Sequence, residues 1–169
     1  MQKITPFLWF DNQAEEAAAF YTSVFKDSAV GTHADYEEEA ASKVGQPAGS
    51  VMVVNFEVAG QKFIALNGGP KFKFNESISF VIDCKDQEEV DYYWSRLTAE
   101  GGEESMCGWL KDKFGLSWQV VPTVLGELIG GPDKDGAQRA MHAMLQMKKL
   151  DIKKLQDAYD AEPTAAARG

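Results

Sequence analysis

The chain has 169 residues, 44% of them apolar and 11% aromatic, which excludes a mostly disordered protein. It carries 17 basic and 26 acidic residues, and this net charge of -9 argues against nucleic acid or an anionic membrane as a partner, since both require a cationic face. No apolar run approaches the ~18 residues of a membrane span, and we expect no signal peptide. The two cysteines form neither a disulfide framework nor a CxxC motif, which favours a cytoplasmic protein.

An internal repeat is the most informative feature of the sequence. Residues 4–10 predict a strand, and apolar residues at helical spacing then predict a helix. The pattern returns 73 residues later, where residues 78–84 predict a strand and Asp86 opens a helix with a capping-box pattern. The two apolar stripes are Ala17, Phe20, Tyr21, Val24 and Phe25, and Val90, Tyr93, Trp94 and Leu97.

Each predicted helix is followed by antiparallel strands joined by short turns. The predicted strands are 29–36, 50–58 and 61–67 in the first repeat, and 107–111 and 116–122 in the second. The second repeat has little room near 103–106 for a counterpart of strand 29–36, so each half has two or three antiparallel strands after its helix. The repeats therefore span residues 4–67 and 77–122 and form one domain over residues 1–122. Two βαβββ units predict an α+β fold in which curled mixed sheets surround a cavity and the helices lie outside.

Two segments interrupt this pattern. Residues 37–49 are acidic and then small and polar, which predicts a mobile loop. Residues 67–76 join the repeats, and we expect their Phe72 and Phe74 to be buried because they are too apolar for a free linker.

Residues 123–160 predict a C-terminal helical extension, in which Asp151 caps the last helix, and residues 161–169 predict a frayed tail. The extension carries many apolar residues outside both repeats, so we expect it to cover the chain's own sheets or those of a second copy. A homodimer is therefore predicted. The competing interpretation is that these helices only cap their own domain.

Five segments are similar to one known family: Ile4–Asp11, Gly60–Gly69, Cys107–Asp112, Ser117–Pro122 and Met144–Ile152. With the double βαβββ plan, they resemble the vicinal-oxygen-chelate superfamily of glyoxalases, bleomycin-resistance proteins and extradiol dioxygenases. They are most similar to its PhnB-like branch, which is described as 3-demethylubiquinone-9 3-methyltransferase-like. The resemblance covers nearly the whole chain and implies the fold, but one fold hosts many reactions.

In metal-using members the resemblance implies four ligands, on the first and last strands of each half, each of them His, Gln or Glu. The repeat places these positions at Ile4, Ser77, Ala65 and Gln119, or two residues along at Pro6, Ser79, Asn67 and Val121. None is His, Asp or Glu, and Gln119 alone cannot hold a divalent transition metal, which prefers imidazole, thiolate or carboxylate ligands. We therefore expect no metal and no other cofactor.

Other candidate chemistry is weak. His33 could point into the cavity mouth as a base, or lie on the surface of its strand. Cys84 and Cys107 are expected to be small buried hydrophobes. The glycine pairs do not form the GxGxG turn of common S-adenosylmethionine enzymes, so the residues do not support a methyltransferase.

Strand alternation predicts which side chains face the cavity. The candidate ligand-binding residues are Pro6, Leu8, Phe63, Ala65, Asn67, Ser79, Ser117 and Gln119, with Val81 and Val121 on the same face. The opposite parity directs Phe7, Trp9, Ile64, Phe80, Ile82 and Trp118 towards the helices, and leaves the faces of Trp109 and Lys111 open. This mostly apolar pocket would suit a neutral or aromatic small molecule, although the same side chains could simply fill the interior.

Two functional classes remain. The first is a metal-free small-molecule-binding protein with an unidentified ligand, for which bleomycin-resistance proteins supply the analogy. The second is an enzyme with unassigned catalytic residues, either a metal-dependent lyase or isomerase of the glyoxalase type, or a methyltransferase as the branch description suggests. Metal analysis of the purified protein would separate these classes.

Overall fold

The first of two compact units in the computed structural model spans Met1–Phe74 and contains four strands and two helices. The structure describes residues 2–162, so residues 163–169 of the predicted frayed tail lie outside the described residues. The elements are β1 (Phe7–Phe10), α1 (Ala14–Val24), β2 (Ala29–Asp35), α2 (Glu38–Val44), β3 (Val51–Val58) and β4 (Gln61–Asn67).

The second unit spans Asn75–Gly169 and repeats the strand order of the first before adding helices. Its elements are β5 (Ser79–Cys84), α3 (Gln87–Thr98), β6 (Glu103–Glu104), β7 (Trp109–Lys111), β8 (Ser117–Pro122), α4 (Val124–Gly130), α5 (Lys134–Met144) and α6 (Ile152–Asp160). A single 3-10 turn, Ala99–Gly101, follows α3.

The two sheets have the same topology. The first sheet has the order β1-β4-β3-β2 and the second the order β5-β8-β7-β6. In each sheet the first strand runs parallel to the last, and the remaining neighbours are antiparallel. The predicted α+β fold of two βαβββ halves with C-terminal helices is therefore confirmed.

The helices that follow the first strands begin in different ways. The Asp86 carboxylate accepts a hydrogen bond from the Glu89 amide at 2.9 Å and caps α3, as predicted. The N-cap of α1 is Gln13, whose side chain makes no such bond. Instead, Asn67 at the end of β4 accepts from the amide of Ala14 at 2.8 Å. A side chain from the sheet thus caps α1, whereas α3 supplies its own cap.

The two repeats are not related by one constant offset. The helices begin at Ala14 and Gln87, 73 positions apart. The first strands end at Phe10 and Cys84, which are 74 positions apart. These two residues are equivalent, because the carbonyl of each accepts a hydrogen bond from the amide of the residue that follows the last strand of its sheet. The extra residue lies between β1 and α1. Because strand side chains alternate, a one-residue shift exchanges the two faces of the strand.

Residues 37–49 are not the predicted loop, because they contain the helix α2. Ala41 is buried on this helix, and Gly45 ends it in the left-handed conformation at φ 74°. The Gln46 side chain donates to the carbonyl of Asp11 at 3.0 Å and ties the segment to the end of β1.

The expected burial of Phe72 is also wrong, since 55% of this residue is exposed. Its ring contacts Trp9 edge-on, with centroids 4.9 Å apart. Phe74 is half-buried and packs on Phe10 in the same manner at 5.2 Å. Both rings therefore pack on β1, but only Phe74 is substantially covered.

The C-terminal helices form a small apolar core of their own. Its buried members are Leu125, Leu128, Ala140, Leu150 and Leu155. The segment before α6 is fixed to the second sheet because the amides of Cys107 and Gly108 donate to the carbonyls of Met147 and Lys148, at 2.7 and 2.8 Å. Most of the apolar residues that suggested a partner surface are thus packed within the extension, which favours the competing interpretation that these helices cap their own unit.

Candidate ligand-binding site

In the first unit, the side chains predicted to face a cavity lie instead in the core beneath α1. Leu8, Phe63 and Ala65 are at most 6% exposed. The Phe63 ring stacks on Phe56 at 5.3 Å, and Phe56 stacks on Tyr21 of α1 at 6.1 Å. The predicted face is wrong for this half, because the predicted alignment of the two repeats is one residue out of register along the strands: Phe10 corresponds to Cys84, 74 positions on, and Asn67 corresponds to Pro122, 55 positions on.

Asn67, also predicted to face the cavity, is instead a structural junction of the first unit. It is 5% exposed, and while its Oδ1 caps α1, its Nδ2 donates to the carbonyl of Val51 at 3.0 Å. Its own carbonyl accepts from the Tyr36 hydroxyl at 2.6 Å, and burial raises the pKa of that hydroxyl. Asn67 therefore links α1, the start of β3 and the end of β2. Pro6, the remaining candidate of this half, is half-buried, and its carbonyl accepts from the Ile64 amide at 3.0 Å.

The face of the first sheet opposite α1, which we call the first free face, carries Phe7, Trp9 and Ile64. Strand alternation predicted that these three side chains face the helices. This prediction is wrong because of the same one-residue error in the alignment of the repeats. Phe7 is 55% exposed. The Trp9 indole donates to the carbonyl of Gly69 at 2.8 Å and lies so close to Gly68 that a Cβ there would come within 2.4 Å of the ring. Gly68 is therefore required for Trp9 to be covered.

An open cavity of about 500 Å³ lies on the first sheet. Asn55 contributes an amide that donates to both the carbonyl and the hydroxyl of Thr32, at 3.2 and 3.1 Å. Glu57 and Lys62 are cross-strand partners, so one charge of each sign lines the cavity. The lining residues are Thr5, Ala29, Gly31, Thr32, Asn55, Phe56, Glu57, Lys62, Phe63 and Ile64. Phe63, a predicted ligand-binding residue, is therefore part of this lining although its ring is buried in the core beneath α1.

In the second unit the predicted faces are correct. Ile82 and Trp118 are at most 8% exposed and belong to the core beside α3. Ser79, Ser117 and Gln119 have the opposite parity and share the face away from α3, which we call the second free face. The Gln119 amide donates to the Ser79 hydroxyl at 2.9 Å.

The structure also assigns Trp109 and Lys111, which the sequence left open. Trp109 pairs with Gln119 and Lys111 pairs with Ser117, so both belong to the second free face. The Lys111 ammonium lies 2.5 Å from the Glu76 carboxylate. This hydrogen bond raises the pKa of Lys111 and lowers that of Glu76.

Two further candidates for chemistry, His33 and Cys84, do not contribute a reactive side chain to either free face. His33 is exposed, and its partner on the neighbouring strand is Val54, whose buried side chain lies on the α1 face of the sheet. Because paired residues share a face, His33 lies on the α1 face and does not line the cavity. Burial, reinforced by nearby Glu89, raises the pKa of the Cys84 thiol to about 12. Cys84 is therefore almost entirely protonated at neutral pH and is a poor nucleophile.

The donors on these faces do not fit a transition metal. Within residues 2–162, no group of three or more His, Cys, Asp or Glu side chains could hold a metal ion. On the first and last strands, the free faces offer only the Gln119 amide and Asp83, an exposed carboxylate at the end of β5 that sequence reasoning missed. A divalent transition metal requires more imidazole, thiolate or carboxylate ligands than these.

Comparison with known proteins agrees with this architecture. The PhnB protein from Bacillus cereus is 33% identical, with 72% of this chain aligned to 100% of that chain and a TM-score of 0.63. Protein PA1353 from Pseudomonas aeruginosa is 19% identical over 72% of this chain and 98% of that chain, with a TM-score of 0.56. The fosfomycin resistance protein FosX from Listeria monocytogenes is 16% identical over 75% and 94%, with a TM-score of 0.53. No curated protein matches.

The two βαβββ halves, together with these neighbours, define a protein of the vicinal-oxygen-chelate superfamily. A family model described as 3-demethylubiquinone-9 3-methyltransferase matches residues 2–121. The chain belongs to this PhnB-like family. The matched range ends before α4, so the helical extension lies outside it. None of the helices in the described part of the chain is long and apolar enough to cross a membrane.

Substitution of Asn67 tests its structural role. We expect Asn67→Ala to lower the free energy of unfolding by at least about 2 kcal/mol, because it leaves two backbone groups unpaired at a buried site. The matched control is Gln119→Ala on the second free face, which should cost less than about 1 kcal/mol because its amide bonds a half-buried hydroxyl. Urea unfolding measures both. Equal costs would contradict the structural assignment of Asn67.

Proposed function

We propose that this chain is a cytoplasmic, metal-free, small-molecule-binding protein. The observation that carries the proposal is the cavity of about 500 Å³ on the first sheet. Cavities of roughly 300–1,000 Å³ with a few polar groups are typical of small-molecule sites. Membership of a superfamily that includes glyoxalases and bleomycin-resistance proteins supports this class of function. The two free cysteines support a cytoplasmic location, because thiols stay reduced in that compartment.

The lining of the cavity favours an uncharged ligand with a flat apolar part. Ile64, Ala29 and Gly31 offer apolar surface and backbone, while Asn55 and Thr32 offer hydrogen-bonding groups. Glu57 and Lys62 carry opposite charges on neighbouring strands, so neither sign dominates. The acidic surface of the chain would not exclude a cationic ligand, but charge of this kind also serves solubility.

The alternatives are enzymatic. The metal-dependent lyase or isomerase has little support, since the free faces lack a ligand set for the metal. A methyltransferase is supported by the family description alone, because between residues 2 and 162 no glycine-rich turn joins a strand to a helix in the manner that common S-adenosylmethionine enzymes use.

Binding of the neutral dye N-phenyl-1-naphthylamine tests the proposal. We expect the dye to bind with increased fluorescence, and Ile64→Glu to weaken binding by at least about tenfold because a carboxylate then lies in the apolar part of the cavity. Val30→Glu is the matched control. Val30 is 50% exposed, and its partner on β3 is Phe56, so its side chain lies on the face of the sheet opposite to that of Ile64. EDTA should leave dye binding unchanged.

Three results would contradict this proposal. One is dye binding that responds equally to both variants, and another is no binding at all. The third is stoichiometric zinc, iron, manganese or nickel in the purified protein, together with a loss of binding on chelation. Saturable binding of S-adenosylmethionine would instead favour the methyltransferase.

We also propose a homodimer, although not through the helical extension. Large apolar side chains are exposed at equivalent positions of the two halves: Ile4 and Ile78 at 85% and 69%, and Phe7 and Val81 at 55% and 54%. Such repeated exposure favours burial against a second copy. A stable interface would bury over about 1,000 Å² in total.

Light scattering at micromolar concentration should give a mass near twice the 18.6 kDa of one chain. Phe7→Asp should shift the mass towards one chain, because it places a charge in the interface. Phe72→Asp is the matched control, since Phe72 is also 55% exposed. A single-chain mass for the unmodified protein would contradict the dimer, and equal effects of the two variants would contradict its location.

A further inference from the structure

A second open cavity, of about 750 Å³, lies in the second unit between the start of α3 and the first turns of α6. None of the side chains that line it belongs to a strand, so it is separate from both free faces. Most of its lining lies between residues 124 and 157, which the family model does not match. The cavity is therefore formed largely by the helical extension.

The two walls of this cavity are fixed to each other. The Gln87 side chain at the start of α3 donates to the carbonyl of Leu150 at 3.1 Å and accepts from the amide of Ile152 at 2.8 Å. Leu150 and Leu155, on either side of this contact, are fully buried. Because both ends of one amide and two buried leucines hold α6 against α3, the cavity has a fixed framework.

Charges of both signs line the cavity, since its lining includes three lysines and four aspartates. The Lys149 ammonium lies 2.5 Å from the Asp91 carboxylate and joins the two walls, and that of Lys153 lies 2.5 Å from Asp157 on α6. Hydrogen bonds from Lys149 and Gln87 lower the pKa of Asp91, and the bond to Asp157 raises the pKa of Lys153. Asp91 and Lys153 are therefore charged at neutral pH.

The two helix ends at the cavity do not make it a site for a simple anion. The carboxylate of Asp86 caps α3 through the Glu89 amide, and that of Asp151 caps α6 through the Lys154 amide at 3.0 Å. Each helix N-terminus thus already has a negative charge beside it. A ligand of one sign would be attracted by one set of side chains and repelled by the other.

The cavity also offers apolar surface and unused hydrogen-bonding capacity. Val124 and Ile152 line it and are half-buried. An ammonium has three N–H donors and a carboxylate has two acceptor oxygens, so an ion pair that uses one of each leaves the others for a ligand. A ligand that carries both charges on a short aliphatic body would complement all three features.

We propose that this cavity binds a small aliphatic zwitterion, a molecule with one ammonium group, one carboxylate and a short apolar chain. The ligand carboxylate would bind Lys149 and Lys153, and its ammonium group would bind Asp91 and Asp157. This inference goes beyond the proposed function, which concerns an uncharged ligand on the first sheet.

The experiment compares L-leucine with two molecules that each lack one of its charges, isoamylamine and isocaproate. Titrations of the full-length protein, followed by amide NMR, should show that leucine binds at least about fivefold more tightly than either, as one additional ion pair allows. The amide resonances of Gln87 and Ile152 should shift on addition of leucine, because these residues line the cavity.

Reciprocal variants separate charge recognition from a structural effect. Lys153→Gln should weaken leucine binding by at least about threefold and leave isoamylamine binding no weaker, because the amine does not use this ammonium group. Asp157→Asn should weaken leucine binding similarly and leave isocaproate binding no weaker. Lys43→Gln is the matched control, since Lys43 is also exposed and pairs with Glu39 at the same helical spacing.

Four results would overturn the inference. They are the absence of leucine binding, a single-charge probe that binds as tightly as leucine, an equal effect of Lys153→Gln and Lys43→Gln, and equal weakening of all three probes by Lys153→Gln. Leucine should not displace N-phenyl-1-naphthylamine, because the two sites are separate. Loss of leucine binding with intact dye binding therefore overturns this site alone, and the converse result overturns the proposed function alone.

Discussion

Side-chain alternation along the strands is the constraint on which the remaining assignments depend. Each sheet has one face packed against a helix and one free face, and successive residues of a strand go to opposite faces. A one-residue error in matching the two repeats therefore exchanges the predicted core and surface for a whole strand. In this chain the extra residue between β1 and α1 produces that error for β1, whose Leu8 and Phe10 lie in the core.

The same difference explains how the two helices are capped. In the second unit, Asp86 lies two residues after the end of β5 and caps α3 directly. In the first unit, the cap is supplied by Asn67, whose structural equivalent at the end of β8 is Pro122, a residue with no side-chain acceptor. The two halves thus satisfy the same backbone requirement from different elements.

Much of the fold could be predicted from the sequence because it depends on local patterns. The strand pair at 51–58 and 61–67, the cap at Asp86 and the helical stripe around Trp94 follow from periodicity and turn residues, and each is found within one or two positions. The helix α2 could not be predicted in this way, because it is short and buries only Ala41, so no apolar stripe marks it.

The faces of the strands were predicted correctly for one half only. Ser79, Ser117 and Gln119 lie on the predicted face, whereas Phe63, Ala65 and Asn67 do not, because the predicted alignment of the repeats is one residue out of register along the strands. The burial of Asn67 depends on contacts with Ala14 and Val51, which are distant in sequence. That the Ser117 hydroxyl has no hydrogen-bond partner in the described part of the chain likewise becomes visible only once its neighbours are placed.

The assignment of faces also determines what a ligand could meet. On the first free face the tertiary structure offers Ile64, Asn55 and a balanced pair of charges, while on the second it offers serines and an amide beside Trp109. Neither face concentrates carboxylates or imidazoles. The chemistry available to both is hydrogen bonding to neutral groups and apolar contact, which is why binding rather than metal-assisted catalysis is the function that we propose.

Cysteine accessibility along β4 tests the assignment of faces most directly. Ile64→Cys, Ala65→Cys and Leu66→Cys would be made in a background in which Cys107 is replaced by alanine, while Cys84 stays protonated and buried. The account predicts rapid reaction with a thiol reagent at positions 64 and 66, and protection at position 65 until the protein unfolds. Rapid reaction at position 65 with protection at positions 64 and 66 would contradict it.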